Sequence, residues 1–258
     1  MKKFDFIFQK AKKQEKILLM FDYDGTLTPI VAKPELAMLN DKTKNNLESI
    51  VKSNFIKIAI ISGRQIKTLK ELSGINNPEI IMYGVHGGEI YRENTTHVHI
   101  SDNDIKLLAK FKENIKNNLL NIQGIIIEDK TYSIALHYRN SNIINAEAAK
   151  KIFIHYIEEM NLNKKFYVQK GKKVLEVLPQ NFNKGKAIEN LLNENSGYFP
   201  VYFGDDLTDN YAFEKVKKQG GTAIGTGPLY KNSSYVDIWI SRNKIEELLD
   251  NLKLISAK

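Results

Sequence analysis

The sequence contains no cysteine. Disulfide bonds, thiolate metal sites and thiol nucleophiles are therefore excluded, and we expect a reducing, cytoplasmic environment. Long apolar runs are also missing, since no stretch approaches the length that spans a membrane. Basic residues interrupt the first apolar positions before a secretory signal can form. We therefore predict a protein that is neither exported nor bound to a membrane.

Arginine blocks and dense basic stripes, which are typical of nucleic-acid-binding surfaces, are absent as well. The net charge is nevertheless +8, from 38 lysine and arginine residues against 30 aspartate and glutamate residues. A positive background field attracts anions such as phosphate esters. We expect a small phosphorylated ligand and no nucleic-acid partner.

Short apolar runs alternate with helical patterns towards both ends of the chain. The runs cover residues 17–21, 56–61, 80–82 and 201–203, and the helical patterns cover 41–52, 65–72 and 184–194. Such alternation predicts an α/β fold with a Rossmann-like parallel sheet and helices on both faces. Ligands bind these sheets at the carboxyl ends of the strands.

The middle of the chain has a different pattern. It predicts a helix, a hairpin, a second helix and a second hairpin, over residues 102–118, 125–138, 146–160 and 165–178. Hairpin strands pair antiparallel, so this region predicts a small sheet of its own. We therefore predict a discontinuous core, residues 1–101 and 183–258, and an inserted α+β domain at residues 102–182.

Two acidic residues follow the first apolar run, in Asp22-Tyr-Asp24-Gly25-Thr26. Alternate residues of a strand share a face, so we expect both carboxylates to enter one space, where a metal or a proton can hold them. This arrangement suits phosphoryl transfer. The alternative is a strand that ends in an ordinary Asp-Gly turn.

Three further segments fall at the ends of predicted elements: Ser62-Gly63-Arg64, Lys184 of Asn-Lys-Gly-Lys, and Gly204-Asp205-Asp206-Leu-Thr-Asp209. Each alone fits a turn, a solvated helix start or a helix cap. In this order, together with the Asp22 segment, they resemble the four motifs of the haloacid dehalogenase superfamily of phosphatases. The resemblance implies that superfamily's core fold.

The chain resembles one family of that superfamily more closely, the trehalose-6-phosphate phosphatases. The similar segments are Ser-Ile-Ala-Leu-His137-Tyr-Arg139, Gly171-Lys172-Lys-Val-Leu-Glu176-Val and Gly84-Val-His86-Gly87. The resemblance implies that the inserted domain is a type IIB α/β cap. The cap side chains that would bind the disaccharide are Glu128, Lys130, Arg139, Lys172 and Glu176. The alternative for these five is an exposed polar face of an antiparallel sheet.

The resemblance also implies the chemistry. Asp22 would be the nucleophile that forms an aspartyl phosphate, and Asp24 the acid and base. Mg²⁺ would be bound by Asp22, the backbone carbonyl of Asp24, and Asp205, because this ion prefers oxygen ligands. Asp206 and Asp209 rank below Asp205 as ligands, and Asp209 is expected to orient a water molecule or hold Lys184.

Phosphate binding is expected from side chains and from backbone amides. Ser62 and Lys184 would bind the transferring phosphoryl oxygens, and Arg64 would add a further cationic contact. Amides around Gly25, Thr26 and Gly63 would form a small anion nest. His86 is expected near the site but outside the mechanism, because the carboxylate pair already supplies proton transfer.

These observations predict an Mg²⁺-dependent phosphatase that hydrolyses trehalose 6-phosphate. Sucrose 6-phosphate, glucosylglycerol phosphate and mannosyl-3-phosphoglycerate are alternative substrates, and a sugar phosphomutase or a non-catalytic sugar-phosphate sensor is an alternative function.

One departure from the family pattern is Asn210, which stands where the family commonly has glutamate. We expect a monomer, coupled in function to a trehalose-6-phosphate synthase.

Overall fold

The structure is a computed structural model that describes residues 2–171 and 173–256. These residues form two compact units. The first contains the chain up to Val98 and from Asn183 onward, and the second is the insertion, His99–Phe182. The observed boundary lies slightly before the predicted one, because the three residues after Val98 group with the insertion.

Twelve strands are described. In chain order they are β1 (Ile17–Asp22), β2 (Ile56–Ile61), β3 (Ile81–Gly84), β4 (Glu89–Arg92), β5 (Thr95–Val98), β6 (Ile126–Asp129), β7 (Ile134–His137), β8 (Phe166–Gly171), β9 (Val174–Pro179), β10 (Phe199–Gly204), β11 (Thr222–Gly225) and β12 (Ile238–Trp239).

Eight α-helices are described. They are α1 (Asp5–Lys12), α2 (Asp41–Ile50), α3 (Ile66–Ser73), α4 (Asp102–Leu119), α5 (Ile143–Glu159), α6 (Lys184–Glu194), α7 (Asn210–Lys218) and α8 (Lys244–Ser256). Among the described residues, no helix combines the length and apolar character that a membrane crossing requires.

The first unit contains an eight-stranded sheet in the order β12-β11-β10-β1-β2-β3-β4-β5. From β12 to β3 all neighbours are parallel, and β1 lies between β2 and β10. The predicted α/β fold with a parallel core is therefore confirmed. An antiparallel hairpin, β4 and β5, extends one edge. Glu93 and Asn94 connect these two strands with positive φ angles, the conformation that type I′ turns require.

Strand β1 is buried along its whole length and packs on both faces. Because side chains alternate, Ile17, Leu19 and Phe21 join the apolar cluster with α1, α2, α3 and α8. Leu18 and Met20 join the opposite cluster with α6 and α7. Each fully buried side chain of this size contributes roughly 1.5–3 kcal/mol. The two clusters thus hold the carboxyl end of β1 rigidly in place.

The inserted unit contains a four-stranded antiparallel sheet in the order β6-β7-β9-β8. Its core lies between the sheet and the helices α4 and α5, with Phe111 and Phe153 in an edge-to-face contact at 5.2 Å. Ser101 and Asn142 cap the two helices by accepting hydrogen bonds from backbone amides. Its elements follow the order helix, hairpin, helix, hairpin that the sequence predicts.

Candidate active site

The carboxyl ends of β1, β2 and β10 bring three of the motifs together. Asp22 pairs with Ile61 across β1 and β2, so Ser62 follows at the same edge of the sheet. Phe21 pairs with Phe203 across β1 and β10, so Asp205 follows on the other side. The site therefore depends on parallel register, which places residues that are distant in sequence side by side.

Lys184 joins this edge from the first residue of α6. Its ammonium group donates to Asp22 Oδ1 at 2.5 Å and to Asp209 Oδ1 at 2.7 Å. The side chain of Lys184 is 4% exposed, that of Asp22 6%, and that of Asp209 is fully buried. Burial alone would lower the pKa of Lys184, but the charges of Asp209 and Asp22 outweigh it and raise that pKa. Lys184 is therefore a permanent cation beside Asp22.

Asp209 accepts four hydrogen bonds. Oδ1 accepts from Lys184 and from the Tyr202 hydroxyl at 2.6 Å, and Oδ2 accepts from the backbone amides of Asp205 and Asp206 at 2.9 and 3.0 Å. A carboxylate with this many donors is committed to its protein partners. Its geometry suits holding Lys184 and the Asp205 backbone better than binding a metal.

Asp206 has a local structural contact. Its side chain accepts from the Thr208 amide at 2.6 Å and forms a capping box with Asp209. This arrangement closes the turn after β10. Asn210, the departure from the family pattern, accepts a hydrogen bond from the Tyr230 hydroxyl at 2.8 Å.

Asp205 has the chemistry of a cation ligand. Asp22, Asp205 and Asp209 each offer an oxygen atom within 4.8 Å of the others. Within the described part of the chain, Asp205 Oδ1 is buried and accepts no hydrogen bond. Burial raises the pKa of Asp205 to about 7, and the charge of Asp209 adds to the shift. Lys184 alone does not balance three carboxylates, so the residues present fit an additional divalent cation.

Asp22 is likewise a buried carboxylate whose ionised form is disfavoured by the loss of water. Burial raises its pKa well above the ordinary 3.8, while the charge of Lys184 acts in the opposite direction. A bound cation would favour the ionised carboxylate of Asp22, as it would that of Asp205. The two carboxylates thus share one requirement for positive charge.

Because Gly25 has no side chain, the Asp205 carboxylate can lie directly against its backbone. A Cβ atom at Gly25 would lie 2.1 Å from Asp205 Oδ2, and the φ angle of Gly25 is +85°. Both the close approach and the backbone conformation require glycine. The turn after β1 therefore fits closely around the metal-ligand candidate.

The Asp24 carboxylate is not part of the acidic cluster around Asp22, contrary to the expectation that both carboxylates enter one space. The Arg64 guanidinium donates to both of its carboxylate oxygens at 2.7 Å. Arg64 also donates to the Pro34 carbonyl at 2.9 Å. The reason is local, because β1 ends at Asp22 and the strand alternation stops there. Asp24 is 42% exposed, so it faces a more open environment than Asp22.

The predicted anion nest is only partly available. The Gly25 amide donates to the Thr28 carbonyl at 2.9 Å and is therefore committed to the turn. The amides of Thr26 and Gly63 have no acceptor among the described residues. The Thr26 hydroxyl faces Thr226 Oγ1 at 3.2 Å. Ser62 is fully buried, and its Oγ accepts from the Arg64 amide at 3.1 Å, which orients the hydroxyl group.

His86 lies directly beside the Ser62 segment. A Cβ atom at Gly63 would lie 2.7 Å from His86 Nε2. The amide of His86 donates to the Ser62 carbonyl at 2.9 Å, and both Val85 and His86 have positive φ angles. Such backbone conformations are costly outside glycine and occur often at functional sites. The contact places His86 against the segment that is predicted to bind phosphate.

Two hydrogen-bonded pairs in the inserted unit include three of the five predicted sugar-binding residues, Glu128, Lys130 and Glu176. His137 Nε2 lies 2.7 Å from Glu128 Oε2. Lys130 Nζ donates to both carboxylate oxygens of Glu176 at 3.0 and 3.1 Å. Arg139 is exposed in the turn that follows β7. Lys172 lies outside the described residues.

Two residues of these networks are not indicated by the sequence. Tyr202 lies in an apolar strand and has the pattern of a core residue, yet its hydroxyl reaches Asp209. Ser133 begins the strand motif around His137, yet its hydroxyl reaches Glu176. No local residue pattern marks either hydroxyl group, and the partner of Ser133 lies 43 positions away in the sequence.

Comparison with known proteins identifies the family. A family model described as trehalose-phosphatase matches residues 20–237. The chain belongs to the trehalose-phosphatase family. The matched range includes every candidate residue from Asp22 to Asp209, and the resemblance stated from the sequence is confirmed.

Two of the curated relatives that this chain matches, both from Arabidopsis thaliana, show the extent of the similarity. Probable trehalose-phosphate phosphatase G is 31% identical over 241 residues, which cover 83% of this chain and 62% of the relative. Trehalose-phosphate phosphatase B is 30% identical over 249 residues, which cover 87% of this chain and 63% of the relative. The chain thus spans slightly less than two thirds of the length of these two trehalose-phosphatases.

A solved structure aligns with a larger share of this chain than these two relatives do. The structure of Aspergillus fumigatus trehalose-6-phosphate phosphatase, crystal form 3, is similar with a TM-score of 0.71 and 26% identity. The similarity covers 96% of this chain and 97% of that one. The trehalose-phosphatase fold therefore extends over both units.

Proposed function

We propose that the chain is a phosphatase that hydrolyses trehalose 6-phosphate through an aspartyl-phosphate intermediate. The observation that carries this proposal is the buried contact of Asp22 with Lys184 beside Asp205, in a chain of the trehalose-phosphatase family. Attack on a phosphate monoester requires charge neutralisation and alignment. This cluster offers a carboxylate nucleophile, a fixed cation and a further oxygen ligand.

Asp22 is the nucleophile in this proposal. Its carboxylate oxygen attacks the phosphorus atom, and the bond from phosphorus to the sugar oxygen breaks. Lys184 and the Ser62 hydroxyl hold the phosphoryl oxygens, and the amides of Thr26 and Gly63 add donors. Water then attacks the aspartyl phosphate, the bond to Asp22 breaks, and inorganic phosphate leaves.

Asp24 is the acid and base. It gives its proton to the departing sugar oxygen, and it takes a proton from the attacking water in the second step. Both oxygens of Asp24 are bonded to Arg64. Arg64 must therefore release at least one of them during the cycle.

Mg²⁺ is the cation that we propose for this cluster. Asp22, Asp205 and the backbone carbonyl of Asp24 would hold it, since Mg²⁺ takes oxygen ligands and few protein carboxylates. When bound, it neutralises phosphoryl charge. Asp209 supports the site by holding Lys184 and the Asp205 amide.

The inserted unit recognises the sugar in this proposal. Glu128, Lys130, Arg139, Lys172 and Glu176 are the candidate contacts, because acidic and basic groups hydrogen-bond sugar hydroxyls and cations also attract phosphate. The pairing of Lys130 with Glu176 supports this assignment, since it holds a charged donor and acceptor together. A sensor without turnover would have no need for the Asp22, Lys184 and Asp205 arrangement.

Phosphate release from a panel of esters tests the proposal. We expect the highest kcat/KM with trehalose 6-phosphate, compared with sucrose 6-phosphate, glucosylglycerol phosphate, mannosyl-3-phosphoglycerate and glucose 6-phosphate. Chelation should abolish turnover and added Mg²⁺ should restore it. A better substrate in the panel would overturn the trehalose assignment, and isomerised sugar phosphate without phosphate release would indicate a mutase.

A further inference from the structure

The inserted unit contains a buried charged cluster around Glu176. Glu176 lies in β9 opposite Ala135 of β7, while its neighbours Leu175 and Val177 enter the apolar core. Glu176 therefore occupies the sheet face opposite the helices. Its side chain is only 7% exposed. A carboxylate with so little access to water requires hydrogen-bond partners.

Ser133 supplies the shortest of the hydrogen bonds described for this carboxylate. Its hydroxyl donates to Glu176 Oε1 at 2.6 Å, compared with 3.0 and 3.1 Å for the Lys130 contacts. Ser133 itself is fully buried. A hydrogen bond to a charged acceptor is about twice as strong as a neutral one.

The turn before β7 fixes Ser133 and Lys130 relative to each other. The Lys130 amide donates to the Ser133 carbonyl at 3.0 Å, and the Thr131 amide donates to Asp129 Oδ1 at 2.7 Å. Thr131 has a φ angle of +68°. This tight turn brings both donors, Lys130 and Ser133, to the same carboxylate.

Strand register places a second acidic residue on the same face of the sheet. Glu128 lies opposite Ala135, and Ala135 lies opposite Glu176. The two acidic residues are therefore two strand spacings apart, roughly 10 Å, with a small residue between them.

We propose that Ser133 is a positioning residue for sugar recognition, which holds the Glu176 carboxylate in the orientation that binds a sugar hydroxyl. This inference rests on the proposed function, because it assigns the sugar to the inserted unit. If the carboxylate is already held in its binding orientation, less side-chain conformational entropy is lost when the sugar binds. Ser133 thus acts through Glu176 and Lys130 and contacts no reacting atom.

The test compares two substrates in the full chain. Ser133→Ala should raise KM for trehalose 6-phosphate about tenfold, the effect of losing one charge-assisted hydrogen bond, with kcat changing less. Hydrolysis of p-nitrophenyl phosphate, which carries no sugar, should stay at the wild-type rate. Ser133→Thr keeps a hydroxyl and should restore part of the affinity.

Ser141→Ala is the matched control. Its hydroxyl donates to the neighbouring Asn142 carbonyl and lies outside the Glu176 network, so both substrates should behave as with the wild type. Wild-type KM in Ser133→Ala would overturn the inference, as would an equal loss on both substrates, which indicates a general structural role. Failure of the wild-type chain to release phosphate from trehalose 6-phosphate would instead overturn the proposed function.

Discussion

Arg64 holds the Asp24 carboxylate through two hydrogen bonds of 2.7 Å, from Nε to Oδ2 and from Nη2 to Oδ1. The same Nη2 atom donates to the Pro34 carbonyl. Arg64 therefore links the proposed acid and base to the segment that follows the Asp22 motif. Two-point contacts of this kind fix direction as well as distance, which lysine cannot reproduce.

We predict that Arg64→Lys lowers kcat for trehalose 6-phosphate about tenfold, since a hydrogen bond to a charged group is worth roughly 1.5–3 kcal/mol. Steady-state kinetics with purified variants measure the effect. Arg92→Lys is the control, because Arg92 forms an ion pair with Glu194 away from the acid cluster. Equal kcat in Arg64→Lys and the wild type would show that Asp24 does not depend on the guanidinium.

Gly25→Ala should remove activity almost completely. The new Cβ would lie 2.1 Å from Asp205 Oδ2, so either the turn or the carboxylate must move. Gly197→Ala isolates the effect of backbone strain, because Gly197 has a φ angle of +89° and a Cβ atom there would have no neighbour within 4 Å among the described residues. We expect Gly197→Ala to lose roughly 1–2 kcal/mol of stability and retain wild-type turnover. Equal activities of the two variants would contradict the claim that activity requires the close approach of Asp205 to Gly25.

Tyr202→Phe should lower kcat about tenfold with both trehalose 6-phosphate and p-nitrophenyl phosphate, because Asp209 loses one charge-assisted donor. The ring fits unchanged, and its edge-to-face contact with Phe213 is kept. Tyr91→Phe is the control, since Tyr91 is also buried and its hydroxyl bonds Asn94 instead. A change confined to KM for the sugar substrate would contradict the assignment of Tyr202 to the Asp209 network.

We expect the ionisation of Glu89 to lower the free energy of unfolding as pH rises. Burial raises the pKa of Glu89 above its ordinary 4.5, although the Ile66 amide opposes this shift. The folded protein therefore binds this proton more tightly than the unfolded chain. The contribution is fully present below the unfolded pKa and is lost as pH increases through the raised folded pKa.

Glu89→Gln removes this titration and keeps a carbonyl oxygen for the Ile66 amide. We expect the Tm of the variant, relative to that of the wild type, to rise between pH 4 and pH 8 in thermal unfolding experiments. Glu79→Gln at an exposed position controls for the loss of one surface charge. A difference in Tm that does not change with pH would contradict the effect of burial.

The parallel core could be predicted because its strands are nearly continuous apolar runs, as in Ile17–Asp22 and Ile56–Ile61. The convergence of Asp22, Ser62 and Asp205 follows from such strands, since their carboxyl ends share one edge. The antiparallel edge strands β4 and β5 lack this signature, because each has only four residues, β4 begins and ends with a charged residue, and β5 is mostly exposed.

The partners of individual side chains could not be predicted in the same way. Asp24 bonds Arg64, 40 positions away in the sequence, and Ser133 bonds Glu176, 43 positions away. These pairs depend on the register of neighbouring strands and on the exact path of turns, which local residue patterns do not specify. Tyr202 shows the same limit, because its ring belongs to the core and only its hydroxyl belongs to the site.

The role of Asp22 as nucleophile is tested by the rate of phosphate release from trehalose 6-phosphate by Asp22→Asn, compared with that of the wild type in Mg²⁺. The amide has nearly the same shape as the carboxylate but lacks its nucleophilic charge. We predict rapid release by the wild type and none above background by the folded variant. Release by Asp22→Asn at a rate near that of the wild type would contradict the proposed nucleophile and the reaction built on it.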